Sequence, residues 1–326
     1  MHSFRLLSLS IVAACSATLA TPALAQATYP DRPVKVIVAL PAGGSVDMIA
    51  RVVSQKLAAE MGQPFVVDNR AGASGQIGVP AVAKAAPDGY TLMVSPASFL
   101  TTNKSIFKTL PYNPETDFTP ITKLVNQPMV LVVRDKARFA TPADVLAAAK
   151  ANPGKLTYAS SGDGSPQHLA GLMFTNRTGV EMLHVPYKGG APAITDLMGG
   201  VVDMAFSPLP EALPHIKAGK LHPVGILADK RASTAPDIPT LKEGGVNNVV
   251  LSAWIGLLAP AKTPQPVIDK LNQSVKTMLQ SPDMKAKLQE AGMESAVDEA
   301  KPLQQVISEE IKIHAELVKA AGLVPQ

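Results

Sequence analysis

The chain has 326 residues, of which 46% are hydrophobic and 17% are charged, and its formal net charge is +4. This length is typical of two domains that each bury a core, and the composition excludes a disordered polyelectrolyte. A single Cys excludes a disulfide scaffold and a cysteine-rich zinc module. The small excess of positive charge gives no support for a nucleic-acid partner.

The first 25 residues have the pattern of a secretory signal peptide. Arg5 precedes an apolar run at 6–20, and Ala23 and Ala25 are the small residues that signal peptidase requires, so we predict cleavage after Ala25. An alternative is a lipoprotein signal in which Cys15 becomes a lipidated N-terminus. That reading is less favoured because strongly apolar sequence continues behind Cys15. Beyond residue 25, no apolar run is long enough to predict a membrane span.

The rest of the chain alternates apolar runs with helix-period segments, a pattern typical of α/β folds. The first series predicts strands at 34–40, 65–67 and 90–95, with a helix at 46–61. The second series predicts strands at 129–133, 156–160, 182–185, 201–206 and 221–227, with helices at 142–151, 166–176 and 191–198. A last strand at 249–258 precedes helices at 264–279, 282–291 and 302–320.

This order predicts two α/β lobes, each built on a mostly parallel sheet covered by helices. The first predicted lobe comprises residues 26–127 and 251–326, with the C-terminal helices returning to pack on it, and the second comprises residues 128–250. Ligands of open α/β sheets bind beyond the carboxyl ends of the strands. We therefore expect a ligand cleft between the carboxyl ends of the two sheets.

Two glycine-containing loops each join a predicted strand to a predicted helix, one loop in each lobe. Glycines allow a tight turn that exposes backbone N–H groups, and the following helix directs its positive end at the same place, so such a loop binds an anion. One such loop is weak evidence, because any tight turn can use glycine; two loops favour a ligand with a carboxylate. The predicted binding residues are Gly43, Gly44, Ser45, Ser160, Ser161, Gly162, Gly164 and Ser165.

Nucleotide, hydrolase and metal motifs do not fit these loops. Neither loop ends in the Lys-Ser/Thr of a P-loop, the third dinucleotide-fingerprint position is Gln167, and no G-x-S-x-G elbow is present. Because neither loop contains Lys or Arg, a carboxylate is favoured over a phosphate. His168, shortly after the second loop, is a further candidate ligand contact, and it is expected to hold the loop or the helix start rather than to act in a Ser-His pair. No metal or cofactor is predicted, and the other histidines of the mature chain are expected at the surface or at helix ends.

Other candidate ligand contacts follow predicted strands. Ser95 and Ser98 lie at the end of the third strand, and the aromatic residues Phe99, Tyr187 and Phe206 are candidate apolar walls, although aromatics at strand ends more often belong to the core. Arg70, after the second strand, either pairs with a carboxylate or anchors its own loop.

Beyond these loops, the whole mature chain resembles one family, the Bug or TctC-type solute-binding proteins of tripartite tricarboxylate transporters. The order and spacing of the matching segments are highly specific. They include PAGGSVDMIAR (41–51), MGQPFVVDNRAGASGQIG (61–78), KAAPDGYTLMV (84–94), SSGDGSPQHLAG (160–171), VPYKGGAPAITDLMGGVVDMAF (185–206) and AWIGLLAPAKTP (253–264). One departure is that many members have a third Gly and then Thr where this chain has Ser45 and Val46.

The resemblance implies a periplasmic-binding-protein-like (Venus flytrap) fold that captures a small organic carboxylate, with a dicarboxylate as first candidate. It also implies delivery to the membrane permease subunits of the transporter by a monomeric receptor that is not an enzyme, and carboxylate binding by the two glycine loops. Asp47, in the first turn of the helix, is expected to support the helix start rather than touch the anion. The alternatives are an exported α/β enzyme acting on carboxylates and a ligand-sensing module for a signalling kinase.

Overall fold

A computed structural model describes residues 29–297, 302–320, 322, 323 and 325. The predicted signal peptide, its cleavage after Ala25 and the alternative at Cys15 lie outside these residues. The described residues form ten strands and eleven α-helices. None of these helices has the length and apolar character needed to cross a membrane.

Sheet 1 is built mainly from the first part of the chain. Its strand order is β2-β1-β3-β9-β4, with β10 added to β4. The strands are β1 (Val34–Val38), β2 (Phe65–Asn69), β3 (Thr91–Pro96), β4 (Phe118–Val133), β9 (Ser252–Pro260) and β10 (Glu294–Ser295). Its helices are α1 (Ser45–Met61), α2 (Gly78–Ala83), α3 (Ala97–Thr101), α4 (Asn103–Ile106), α9 (Gln265–Gln280), α10 (Pro282–Glu290) and α11 (Leu303–Ala320).

Sheet 2 shares β4 with sheet 1. Its strand order is β4-β7-β5-β6, and β8 pairs with the other edge of β4. The additional strands are β5 (Thr157–Ser160), β6 (Leu183–Pro186), β7 (Met204–Pro208) and β8 (His222–Ile226). The helices are α5 (Pro142–Ala151), α6 (Pro166–Thr178), α7 (Gly190–Gly199) and α8 (Leu209–Lys217).

The strand β4 joins the two sheets without a break. Residues 118–128 pair with β9 in sheet 1, and residues 129–133 pair with β7 and β8 in sheet 2. The chain returns to sheet 1 near Leu251, whose N–H donates to the carbonyl of Leu227. These two crossings lie next to the predicted lobe boundaries 127/128 and 250/251, which stay a prediction.

Apolar side chains alternate along the strands, so each sheet buries both of its faces under helices. In sheet 2, Met129, Leu131 and Val133 pack into one cluster, while Val130 and Val132 pack into the cluster on the opposite face. The helix α11 joins two clusters: Ile307 and Ile311 pack beside sheet 1, and Leu317 and Val318 pack beside sheet 2. The C-terminal helix therefore packs on both sheets, not on the first alone as the sequence pattern predicted.

The strands differ from the expected mostly parallel arrangement. The pairs β1–β2, β1–β3, β5–β6 and β5–β7 are parallel, but β4 and β9 run antiparallel to all their partners. The parallel prediction was wrong at these two strands because neither belongs to a βαβ unit: β4 crosses from one sheet to the other, and β9 follows the return of the chain to sheet 1. The parallel set nevertheless brings the carboxyl ends of β5, β6 and β7 to one edge, where α6, α7 and α8 begin.

Candidate functional site

Loop 1, residues 41–44, lies at the carboxyl end of β1 and is exposed to solvent. Gly43 adopts φ +92°, a left-handed conformation that favours glycine. Gly44 is the N-cap residue of α1 and has no side chain to cap it, so the first N–H groups of a 17-residue helix have no side-chain partner there. An exposed, uncapped helix start presents N–H donors and positive potential to an anion.

The buried side chain of Asp47 stabilises loop 1. Asp47 is 3% exposed, and its Oδ2 accepts hydrogen bonds from the N–H of Gly43 and from Nε of Arg51, both at 2.9 Å. Its Oδ1 accepts a third from Nδ2 of Asn69, also at 2.9 Å. The Arg51 hydrogen bond, aided by the bonds from Gly43 and Asn69, holds the pKa of the Asp47 carboxyl below its ordinary value although burial acts to raise it. Asp47 therefore supports the helix start.

Loop 2, residues 160–165, lies at the carboxyl end of β5 and is closed by its own hydrogen bonds. The N–H of Gly162 donates to Oγ of Ser160 at 3.1 Å, and the N–H of Gly164 donates to Nδ1 of His168 at 3.1 Å. Oγ of Ser165 caps α6 by accepting from the N–H of His168 at 3.2 Å. Two of the backbone N–H groups that the sequence suggested for the ligand are thus bonded within the protein in this structure.

A stacked pair of histidines supports loop 2. The rings of His168 and His184 lie 3.8 Å apart and are parallel to within 7°. His184 Nε2 is 2.6 Å from Oγ of Ser160. The ring of Tyr158 also stacks against the ring of His184, with centroids 5.1 Å apart. His184 is therefore part of the support of loop 2, and the expectation that it is a surface or helix-end residue was wrong. The strand β6 places it against α6, and no sequence spacing signals that contact.

Burial disfavours the charged form of both histidines. Burial, followed by the neighbouring His184, lowers the pKa of His168 to about 4, and burial lowers the pKa of His184 below its ordinary value. Two stacked imidazoles cannot both be charged without repulsion. A neutral ring is also what allows His168 Nδ1 to accept the Gly164 hydrogen bond.

This pair gives a prediction for the pH dependence of folding. The unfolded chain takes up protons on these rings near pH 6.5 and the folded chain resists doing so, so stability should fall as the pH drops from 6.5 towards 4. In an NMR titration of the imidazole nitrogens, we expect the His168 ring to be mostly neutral at pH 6 and His184 to titrate below its ordinary pKa. A mostly charged His168 at that pH would contradict the assignment of its Nδ1 as an acceptor.

Asp163 completes a group that resembles two kinds of reactive centre. Its Oδ1 lies 3.8 Å from His168 Nδ1 and 3.6 Å from His184 Nδ1, close enough to suggest either a metal site or a Ser-His-Asp triad with Ser160. The lone pair of His168 Nδ1 is already used by Gly164, and parallel rings do not aim their nitrogens at one point. Ser160 is 1% exposed and has no access for a substrate. The group acts as a support for loop 2.

Of the two aromatic residues predicted as ligand contacts in sheet 2, one lies beside loop 2 and the other lies in the hydrophobic core. Tyr187 is half-buried beside loop 2, where its N–H donates to the carbonyl of Ser160 and its hydroxyl donates to Asp196 at 2.8 Å. Phe206 is fully buried among the rings of Tyr158 and Phe174, so the structure places it in the core. A ligand contact for either aromatic residue stays a prediction.

The predicted contacts at the end of β3 belong to sheet 1. Ser95 is 1% exposed and Ser98 is half-buried. Phe99 is buried and lies so close to Gly75 that a Cβ there would overlap its ring. Arg70 donates to Asp68 at 3.0 Å and so anchors its own loop.

Within the residues the structure describes, no hydrogen bond joins loop 1 to loop 2. Loop 2 is contacted from the side of sheet 1 by Ile106 of α4, which lies against Gly164 so closely that a Cβ would overlap it. A cavity of about 780 Å³ lies elsewhere, beside the strand crossing, and is lined by residues such as Asn126, Ser252 and Glu294. It contains none of the predicted ligand contacts.

Comparisons with known proteins identify the family. Residues 49–323 match the model of the tripartite tricarboxylate transporter family receptor, TctC. The protein BugT of Bordetella pertussis is 36% identical over 323 residues, covering 99% of each chain. The chain belongs to the TctC family of receptors, which are periplasmic solute-binding proteins, as the resemblance implied.

Solved structures confirm the solute-binding fold. The structure of R. palustris Rpa4515 with adipate has a TM-score of 0.84 and 35% identity, and the match covers 91% of this chain and all of that chain. MatC of Rhodopseudomonas palustris with bound malate has a TM-score of 0.79 and 32% identity, and the match covers 89% of this chain and all of that chain. The predicted two-lobed α/β class is therefore confirmed.

Proposed function

We propose that this receptor binds a small organic carboxylate, with an aliphatic dicarboxylate as first candidate, between loop 1 and loop 2. It delivers that ligand, as a monomer and without catalysing its conversion, to the membrane permease subunits of a tripartite tricarboxylate transporter. Cleavage after Ala25 releases it into the periplasm. Support for the class of ligand comes from the two related structures, which contain adipate and malate.

The observation that carries the ligand proposal is the uncapped start of α1 in loop 1. Loop 1, which leads into this helix start, is exposed, and Gly44 supplies no competing side chain. An ionised carboxylate is the natural acceptor for such donors, and neither loop has Lys or Arg to favour a doubly charged phosphate. The helices α6, α7 and α8 all begin at one edge of sheet 2, which adds positive potential on the opposite side of the site.

Calorimetry with ligand-stripped protein tests the proposal. The panel comprises adipate, malate, an aromatic diacid and their monocarboxylate counterparts, with adipamide as the neutral analogue of adipate. We expect at least one carboxylate to bind and adipamide not to bind, because the amide loses the charge that the helix starts attract. Failure of every carboxylate would overturn the proposal. Slow conversion of a bound carboxylate would instead favour the exported enzyme.

A further inference from the structure

The cavity beside the strand crossing has walls from both sheets. One wall is formed by α10 and β10 of sheet 1, and the other by the segment 227–234, which follows β8 of sheet 2. Asn126 and Pro128 of β4 lie between the two walls. The volume of about 780 Å³ is in the range of sites that hold a small organic molecule. We call this space the crossing cavity.

Hydrogen bonds between the walls give the crossing cavity a defined shape. The N–H and the hydroxyl of Ser233, in the sheet 2 wall, both donate to Oε1 of Glu294 in β10, each at 2.7 Å. Beside this contact, Gly292 packs on the start of α8, since a Cβ there would lie 3.1 Å from a methyl group of Leu213. The two walls are therefore fixed to each other in this structure, and the cavity is formed before any ligand enters it.

The inner surface of the crossing cavity is mostly apolar. Leu227 and Leu251 reach it from a core cluster of sheet 2, and Leu288 and Met293 reach it from a core cluster of sheet 1. Such a surface favours the apolar body of a ligand, because binding removes apolar area from water on both sides.

Three of the charged side chains that line the cavity already have partners in the protein. Asp229 accepts a hydrogen bond from Lys242 at 2.9 Å, and Arg231 donates to Glu243 at 3.0 Å. The third, Glu294, is held by Ser233. These charges are therefore committed to contacts within the protein.

Two lysines, one on each wall, differ from these paired groups. Lys230 follows β8 and Lys285 lies in α10; both line the cavity and both are exposed. Among the residues that the structure describes, no carboxylate forms an ion pair with either ammonium group. They leave positive charge at the solvent-exposed edge of an otherwise apolar space, which is complementary to an anion with an apolar body.

We propose that the crossing cavity is a second binding site, separate from loop 1 and loop 2, for a small amphipathic monocarboxylate. The apolar body of the ligand lies among the leucines and Met293, and its carboxylate faces Lys230 and Lys285. A second carboxylate would have to enter the apolar interior without a partner, so a dicarboxylate fits less well. The site does not require that the loops bind a carboxylate, and it stands or fails separately from the proposed function.

Calorimetry of the intact mature protein with octanoate tests the proposal, and octanamide serves as the neutral analogue. We expect one octanoate to bind per chain at this cavity. Octanamide should bind about fivefold more weakly, because exposed lysines each contribute modestly to the affinity for an anion. Absence of octanoate binding would overturn the second site and leave the proposed function untouched.

Reversal of the two lysine charges locates the carboxylate. The double variant Lys230→Glu with Lys285→Glu should bind octanoate about tenfold more weakly or worse, since attraction is replaced by repulsion. Lys287→Glu is the control: this residue is also exposed on α10 but does not line the cavity, so its replacement should leave the affinity unchanged. Equal affinities for the double variant and the control would overturn the assignment.

Filling the cavity locates the apolar body. Gln289 is exposed on α10 and lines the cavity, so Gln289→Trp should occupy the space and abolish octanoate binding. Glu290→Trp adds the same side chain at the next position, outside the lining, and should bind normally. The melting temperature of each variant without ligand checks that the fold is kept. Normal binding by Gln289→Trp, with octanoate affinity lost instead in Ser165→Asp, would place octanoate at loop 2 and overturn the proposal.

Discussion

Replacement of Ser165 by Asp should reduce carboxylate affinity by about 100-fold or more while leaving the fold intact. Ser165 is the N-cap residue of α6, and its Oγ already accepts a hydrogen bond from His168 N–H. Asp is an equally good N-cap and its charge is favourable at a helix start, so stability should not fall. A charge about 5 Å from the ligand carboxylate costs roughly 3 kcal/mol of binding at an effective dielectric of 20, which gives the predicted loss.

The matched control is Ser165→Asn, which caps the helix with a neutral side chain of the same size as Asp. We expect it to retain affinity within a few-fold, with the same melting temperature. The pair Ser45→Asp and Ser45→Asn applies the same comparison at the start of α1. Normal binding by both Asp variants would show that the ligand lies elsewhere, and equal losses by Asp and Asn would show that size, not charge, is responsible.

The second large effect is expected from Asp47→Ala. This change removes at once the acceptor that Gly43, Arg51 and Asn69 share, and these bonds are partly buried. We expect a loss of about 2–3 kcal/mol in unfolding free energy, below the cost of breaking a fully buried ion pair because Arg51 is exposed. Carboxylate affinity should also fall, since loop 1 is no longer held. Urea unfolding at pH 7 measures the first effect and calorimetry the second.

Asp283→Ala is the comparison for Asp47. Asp283 pairs with Lys56 at 2.8 Å, almost the same distance as Asp47 to Arg51, but both its side chain and that of Lys56 are exposed. Its removal should have little measurable effect on stability. The contribution of Asp47 should be present above about pH 4 and be lost as the pH falls through its lowered pKa. Similar losses for the two variants would contradict a special role for Asp47.

The strand before each loop and the helix after it could be predicted from the sequence. In both places, glycines separate a continuous apolar run from a segment with helical periodicity. The first eleven residues of β4 were not predicted, since Pro120 and Pro128 interrupt the pattern that normally marks a strand. Helix α8 was missed for a related reason: Pro210 and Pro214 both lie within nine residues. Prolines are tolerated there because tertiary packing outweighs the local preference.

The supporting side chains of the site were the least predictable part. His184 and Gln167 are brought to loop 2 from β6 and α6, and no motif connects their positions in the sequence. Of the two, only Gln167 lies near a predicted loop. Their roles follow from strand order, which places β5, β6 and β7 side by side. The expectation for His184 was wrong because the strand order was not known. The expectation for His314 was also wrong: this residue is buried in α11, and its Nδ1 lies 3.1 Å from Thr102 Oγ1.

The unbroken course of β4 determines how the two lobes are able to move. Backbone pairing continues through the crossing, with Pro128 opposite Ser252 in one sheet and Met129 opposite Pro208 in the other. Rotation of one lobe against the other must twist this strand, because no loop interrupts it. Such a twist is spread over several paired residues of β4, and no loop residue within this strand offers a single pivot.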